Sequence, residues 1–253
     1  MIIDAHAHMD EIESLGWMDP PERVIGIMDK AGIDKAVVST YCNLPGINND
    51  ALEYVYNGVK KFPDRLIPYV RLDPWYGKRA ISILDKAVRE YNFKGVKFHP
   101  AHYTLHPFGA DTVNILKRAA EYDIPVLFHC SDESMCLPLQ ITEAAKQSPD
   151  TKIIMAHMGG FYHWEDAIRV CQKYKNVYLD TCESPFPYAI KEAVRVLGAE
   201  KVIFGTDIPT DNPFFEIEKI RCIGLSKEEE DMIFYKNIAG ILNLEVESLK
   251  LKA

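Results

Sequence analysis

Eight short runs rich in β-branched and aromatic residues, at residues 2–8, 35–40, 66–71, 94–99, 125–130, 152–157, 176–181 and 201–206, alternate with segments of helical periodicity along the 253-residue chain. Their near-continuous apolar character, as in Ala36-Val37-Val38 or Pro125-Val126-Leu127-Phe128, is what parallel strands covered on both faces require. Eight strand–helix units in about 250 residues predict an α/β fold, a single (β/α)8 TIM barrel.

The intervening helices carry ordinary packing faces. In the first, Asp19 is the expected cap, Pro20 and Pro21 suit the opening turn, Val24, Ile27, Met28 and Ala31 form one stripe, and Gly32 ends it. Leu52, Val55, Tyr56 and Val59 repeat the stripe, as do Trp164, Ala167, Ile168 and Cys171. After the eighth strand an extra C-terminal helix opens with Ser226 and Glu229 in capping-box spacing and carries Met232, Ile233 and Ile238, which should close one side of the barrel. No linker or low-complexity tract divides the chain, so one domain over residues 1–253 is expected.

Composition narrows the function classes. A net charge of −8 without a basic cluster argues against a nucleic-acid partner and for small-molecule chemistry. No apolar run is long enough to span a membrane and no basic-then-apolar N-terminus is present, so a cytoplasmic protein is expected. Cys42, Cys130, Cys136, Cys171, Cys182 and Cys222 are scattered without a Cys-x-x-Cys pair, which fits reduced thiols.

The strand C-termini bring chemistry to one rim, where such barrels place their sites. His6 and His8 end the first strand one residue apart, so alternation points both rings the same way. Arg71 ends the third, Lys97 and His99 the fourth, His129 the fifth and His157 the sixth, and Asp207 follows the eighth. Three neutral imidazoles and a carboxylate suit Zn2+ or another borderline divalent ion, and a metal-bound water loses its proton near pH 7. In that setting His157 is either a further ligand or a donor to the substrate.

Asp4-Ala5-His6-Ala7-His8, Gly95-Val96-Lys97-Phe98-His99-Pro100, Pro125-Val126-Leu127-Phe128-His129, Ala156-His157-Met158-Gly159-Gly160 and Phe204-Gly205-Thr206-Asp207-Ile208-Pro209 together resemble the amidohydrolase superfamily. The resemblance is narrower to its amidohydrolase-related branch, which includes aminocarboxymuconate-semialdehyde decarboxylase and related lactonases. It implies His6, His8, His129 and Asp207 as metal ligands and leaves His157 a catalytic or second-metal role. Zinc is the metal it implies first, one ion rather than two, with manganese the alternative. Some members carry a carbamylated lysine on the fourth strand that bridges two metals. Here alternation sets Lys97 one layer below His99, which fits better a lysine that supports the site or holds a substrate anion while His99 lines the pocket.

Other candidates have two readings each. Arg71 either clamps a substrate carboxylate or pairs with Asp73 or Asp4. The eleven residues Pro100–Ala110, with His102, Tyr103, His106 and Phe108, form either a lid or a plain surface loop. Glu183 either reaches the pocket or caps the next helix, and Gly159 and Gly160 permit a tight rim turn. The expected activity is metal-dependent hydrolysis of an amide or lactone bond in a small, carboxylate-bearing molecule, with Asp207 moving the proton and His157 stabilising the oxyanion. The alternative is metal-dependent decarboxylation of a carboxylated aromatic or muconate-like acid. A nuclease is disfavoured by the acidic surface and a non-catalytic binding protein by the complete ligand set, and a homodimer is the expected assembly.

Overall fold

The computed structural model describes residues 1–13, 16–41 and 48–245. The chain runs β1 (Ile3–His8), β2 (Asp10–Ile12), β3 (Trp17–Asp19), α1 (Pro21–Ala31), β4 (Lys35–Ser39), α2 (Asn48–Lys61), β5 (Leu66–Arg71) and α3 (Lys78–Arg89). Next come β6 (Gly95–Phe98), α4 (Pro100–Tyr103), α5 (Ala110–Glu121), β7 (Val126–Phe128), α6 (Pro138–Gln147), β8 (Ile153–Met155), α7 (Trp164–Lys173), β9 (Val177–Asp180) and α8 (Pro187–Leu197). The C-terminal part holds β10 (Val202–Ile203), α9 (Pro213–Arg221), α10 (Lys227–Asp231) and α11 (Asn237–Ile241).

Each of the eight apolar runs contains one barrel strand, paired in parallel in the order β1-β4-β5-β6-β7-β8-β9-β10. The ends meet through backbone bonds from the Ala5 amide to the Phe204 carbonyl (2.9 Å), from Asp207 to His6 (2.8 Å) and from His8 to Ile208 (2.7 Å). Buried Asp4 reinforces that seam: its Oδ1 accepts the His6 and Thr206 amides, and its Oδ2 accepts the Thr206 hydroxyl. Closing the barrel in this way sets His6 and Asp207 side by side.

Two details depart from the sequence reading. Asp19 does not cap α1, because Pro20 takes the cap position and Asp19, ending β3, pairs instead with Arg23 at 3.1 Å. Gly32 does end the helix, at a φ of 71° that only glycine adopts cheaply. The short antiparallel pair β2–β3 was not foreseen, since three-residue strands carry too little periodicity to read.

At the C-terminal end the Ser226–Glu229 capping box forms, and the helix continues through a π-turn over Met232–Lys236. The wider turn leaves the Ile233 carbonyl to accept the Phe204 amide at 3.0 Å, tying this helix to β10 beside β1. Among the described residues no helix is long and apolar enough to cross a membrane, and the described cysteines are free thiols; Cys42 lies outside the described residues.

Candidate metal and substrate site

A cavity of about 300 Å³ opens at the C-terminal rim, lined by His6, His8, Tyr41, Arg71, Lys97, His99, Ala101, His102, His129, Glu133, His157, Glu183 and Asp207. All residues singled out at the strand ends line it. The rim backbone aims them: His157, Glu183 and Asp207 have φ of 58°, 51° and 58°, left-handed conformations that cost a non-glycine residue about 1 kcal/mol each.

On one wall the ring nitrogens of His6 and His8 converge with Asp207. Asp207 Oδ1 lies 2.9 Å from His8 Nε2 and 3.4 Å from His6 Nε2, yet it is buried and finds no hydrogen-bond geometry with either. The other nitrogen of each ring is taken, His6 Nδ1 by Asp180 Oδ2 at 2.8 Å and His8 Nδ1 by the Ser39 hydroxyl at 3.3 Å. Tying down Nδ1 fixes each ring and turns Nε2 toward Asp207, the usual outer arrangement of a metal-binding imidazole; at His6 the Lys97 Nζ also reaches that nitrogen. Gly205 allows this packing, since a Cβ there would stand 2.3 Å from Asp180 Oδ1.

The electrostatics agree. Burial, before any charge effect, lowers the pKa of His6 and His8, so both rings stay neutral, the form in which an imidazole can ligate a metal. Burial alone would raise Asp207, but in this coupled group the carboxylate keeps its charge, because any proton taken up by the His6 or His8 ring stabilises it, and it is held well below its ordinary range. An orphaned carboxylate oxygen facing two neutral imidazole nitrogens therefore fits a divalent ion.

His129 occupies a different place. Its Nδ1 meets His157 Nε2 at 3.0 Å and its Nε2 meets Glu133 Oε2 at 3.2 Å, so it faces the same cavity from across the mouth rather than joining the His6–His8–Asp207 cluster. His157 also lies 3.4 Å from Glu183 Oε2, and with Asp207 these form a second convergent cluster. Burial, with Asp207 next, raises the Glu183 carboxyl to about 7.

The opposite wall is built from stacked rings and cations. His99 lies between His102 and His129, with centroids 3.6 and 3.8 Å away and planes within 10°. Arg71, 3% exposed, donates to the Thr40 carbonyl at 3.3 Å and reaches His102 Nδ1 at 2.8 Å; among the described residues it pairs with no carboxylate. Neither acid weighed as its partner is free, because Asp4 holds the barrel seam and Asp73 accepts the Trp75 amide. Lys97 starts a layer lower, but its Nζ rises to 2.5 Å from His6 Nε2, and burial lowers its pKa to about 8. The expected loop after β6 contains α4, which brings His102 into the cavity, while His106 stacks on Phe108 away from it.

Sequence reasoning missed Asp180, Ser39, Tyr41 and Glu133, and weighed Glu183 without choosing it. Ser39 was findable, since it stands opposite His8 in the β1–β4 register. Asp180 ends the seventh strand as His6 approaches the end of the first, and only closure of the barrel makes them neighbours. Nothing in the sequence marks Glu133, which reaches His129 because the loop after β7 folds back.

The family model described as amidohydrolase matches residues 3–244. Among solved structures, the chain is similar to a 5-carboxyvanillate decarboxylase from Novosphingobium aromaticivorans complexed with manganese and 4-hydroxy-3-methoxy-5-nitrobenzoic acid (17% identity, TM-score 0.79, 96% of each chain covered). It is also similar to a dihydroxybenzoic acid decarboxylase from Polaromonas with bound manganese and 2-nitroresorcinol (17% identity, TM-score 0.75, covering 100% of this chain and 97% of that one). A third is 4-oxalomesaconate hydratase from Rhodopseudomonas palustris (21% identity, TM-score 0.76, covering 100% and 98%). At these identities the likeness establishes the shared fold. No curated protein sequence matches the chain.

Proposed function

The chain belongs to the amidohydrolase family, and from that premise we propose that it is a metal-dependent decarboxylase of a small carboxylated aromatic or muconate-like acid. The observation that carries the substrate class is Arg71, a buried guanidinium without a carboxylate partner among the described residues, facing the same cavity as the His6–His8–Asp207 cluster. A buried cation left unpaired by the protein is costly and calls for an anion from outside. The reaction type draws support from the printed activities of the manganese-bound neighbours.

In this reading His6, His8 and Asp207 would hold a divalent ion, manganese or zinc, while His129, engaged by His157 and Glu133, faces it from across the cavity. The ion supplies positive charge that draws electron density toward a substrate oxygen. Arg71 binds the carboxylate through its free N–H groups, and Lys97 adds charge from below. His99 and His102 orient the planar acid against the stacked-ring wall. The bond from carbon to the carboxyl group breaks, the electron pair stays on the carbon, carbon dioxide leaves, and a proton from the Glu183 carboxyl, raised to about 7 and so able to hold one near neutral pH, takes its place, while His157 hydrogen-bonds the substrate. About 300 Å³ accommodates a one-ring acid, at the small end of ligand sites.

Hydrolysis of a lactone or amide, the first expectation from the motifs, uses the same ligands and forms the second arm of the test. Protein loaded with manganese or zinc is incubated with hydroxybenzoates and muconate-like acids, and separately with lactones and amides, following carbon dioxide and ring-opened products. Carbon dioxide release from the acids alone is expected. Turnover of lactones or amides alone would replace decarboxylation by hydrolysis.

A further inference from the structure

Behind the cavity, α9 turns two side chains toward the strained turn that carries Glu183. Glu216, 1% exposed, accepts the Glu183 amide on Oε1 at 3.3 Å, and Lys219 donates to the Ser184 carbonyl at 2.8 Å. The two side chains meet at 2.5 Å. An ordinary i,i+3 helix pair points to solvent; in this one Glu216 is buried and Lys219 half-buried, and each partner grips one side of the Glu183–Ser184 segment. That segment needs holding, because Glu183 sits at φ 51° and an extended alternative would swing its carboxylate away from His157.

We propose that Glu216, with Lys219, is a positioning residue that holds Glu183 in its left-handed conformation, so that the Glu183 carboxylate faces Asp207 and His157 across the cavity. The inference rests on reading this cavity as the active site. Glu216 touches nothing in the cavity itself. Its reach, rather than its charge, does the positioning, because the bond to be kept is a carbonyl-type oxygen accepting one amide N–H.

Reach and charge separate cleanly in two variants. Glu216→Gln keeps the length and an acceptor oxygen, whereas Glu216→Asp keeps the charge but falls one methylene short. In metal-loaded protein, amide hydrogen exchange over residues 181–186 should speed up about tenfold in Glu216→Asp, with kcat down about tenfold and KM and metal content unchanged; Glu216→Gln should stay within about threefold of wild type. Wild-type exchange in Glu216→Asp, or equal damage in both variants, would overturn the proposal. If Glu216→Asp does not fold, Lys219→Met, which removes both the grip on Ser184 and the pairing with Glu216, carries the test and must raise exchange over the same residues. Exchange is read without substrate, so the positioning role stands or falls separately from the reaction: a wild-type enzyme inert toward every acid would refute the function and leave this result readable.

Discussion

The two walls of the cavity are built on opposite principles. On the β1 and β10 side the polar groups around the cluster are tied down, His6 by Asp180, His8 by Ser39 and the strand seam by Asp4 and Thr206, and Asp207 Oδ1 is the oxygen left over. On the β5 and β6 side polar capacity is left open among the described residues, in the Arg71 guanidinium without an acid and in the buried His99 Nδ1 without a partner. Buried polar groups are normally satisfied, so those left unsatisfied in the cavity lining are the groups open to a bound molecule. The first wall has the fixed donor geometry that a cation would require; the second has the open donors that an anion with its own acceptors would meet.

If the walls differ in this way, damage to each should read out differently. Asp207→Asn should cause the largest loss, more than about 1000-fold in kcat/KM, with metal content falling in elemental analysis and the melting temperature nearly kept. A variant that retains wild-type turnover would remove Asp207 from the metal wall. Arg71→Met should raise KM for a carboxylic acid about 100-fold while metal content stays at the wild-type level, as titration calorimetry with a substrate acid can show. Loss of metal from that variant would merge the two walls into one.

Asp180→Asn should weaken metal affinity about tenfold, because an amide in place of the acceptor unsettles the His6 tautomer without removing a ligand. Competition with a chelator measures it, and unchanged affinity would mean that Asp180 only packs. The smallest effect concerns pH. Burial, then the Arg71 charge, lowers His102 to about 4, so the folded state stays neutral there while the unfolded chain takes up a proton near 6.5. The unfolded state binds more protons in that window, so stability should fall as pH drops from 6.5 toward 4. Thermal melts of wild type and His102→Gln, which cannot titrate, should converge above pH 7 and separate below it; parallel curves would deny His102 that role.

Local chemistry made much of this legible. Alternation along Ile3–His8 put His6 and His8 on one face, and the run of motifs placed His129, His157 and Asp207 on the same rim. What it could not show was how those groups divide. His129 and His6 look equivalent as strand-end histidines, yet one ring engages Glu133 and His157 while the other faces Asp207 and Asp180. Glu183 reads as a helix cap until the backbone at φ 51° turns it into the cavity.

The sequence by itself determined the barrel, the rim that carries the chemistry and the kinds of donor gathered there, because strand period and hydrophobic pattern act over a few residues. Only the tertiary structure decided which donors converge, which cation stands without an acid among the described residues and which side chains reach the Glu183 turn. Those outcomes depend on closing the sheet between β1 and β10 and on packing α9 against the turn after β9, and so on contacts between residues more than thirty and up to about two hundred positions apart.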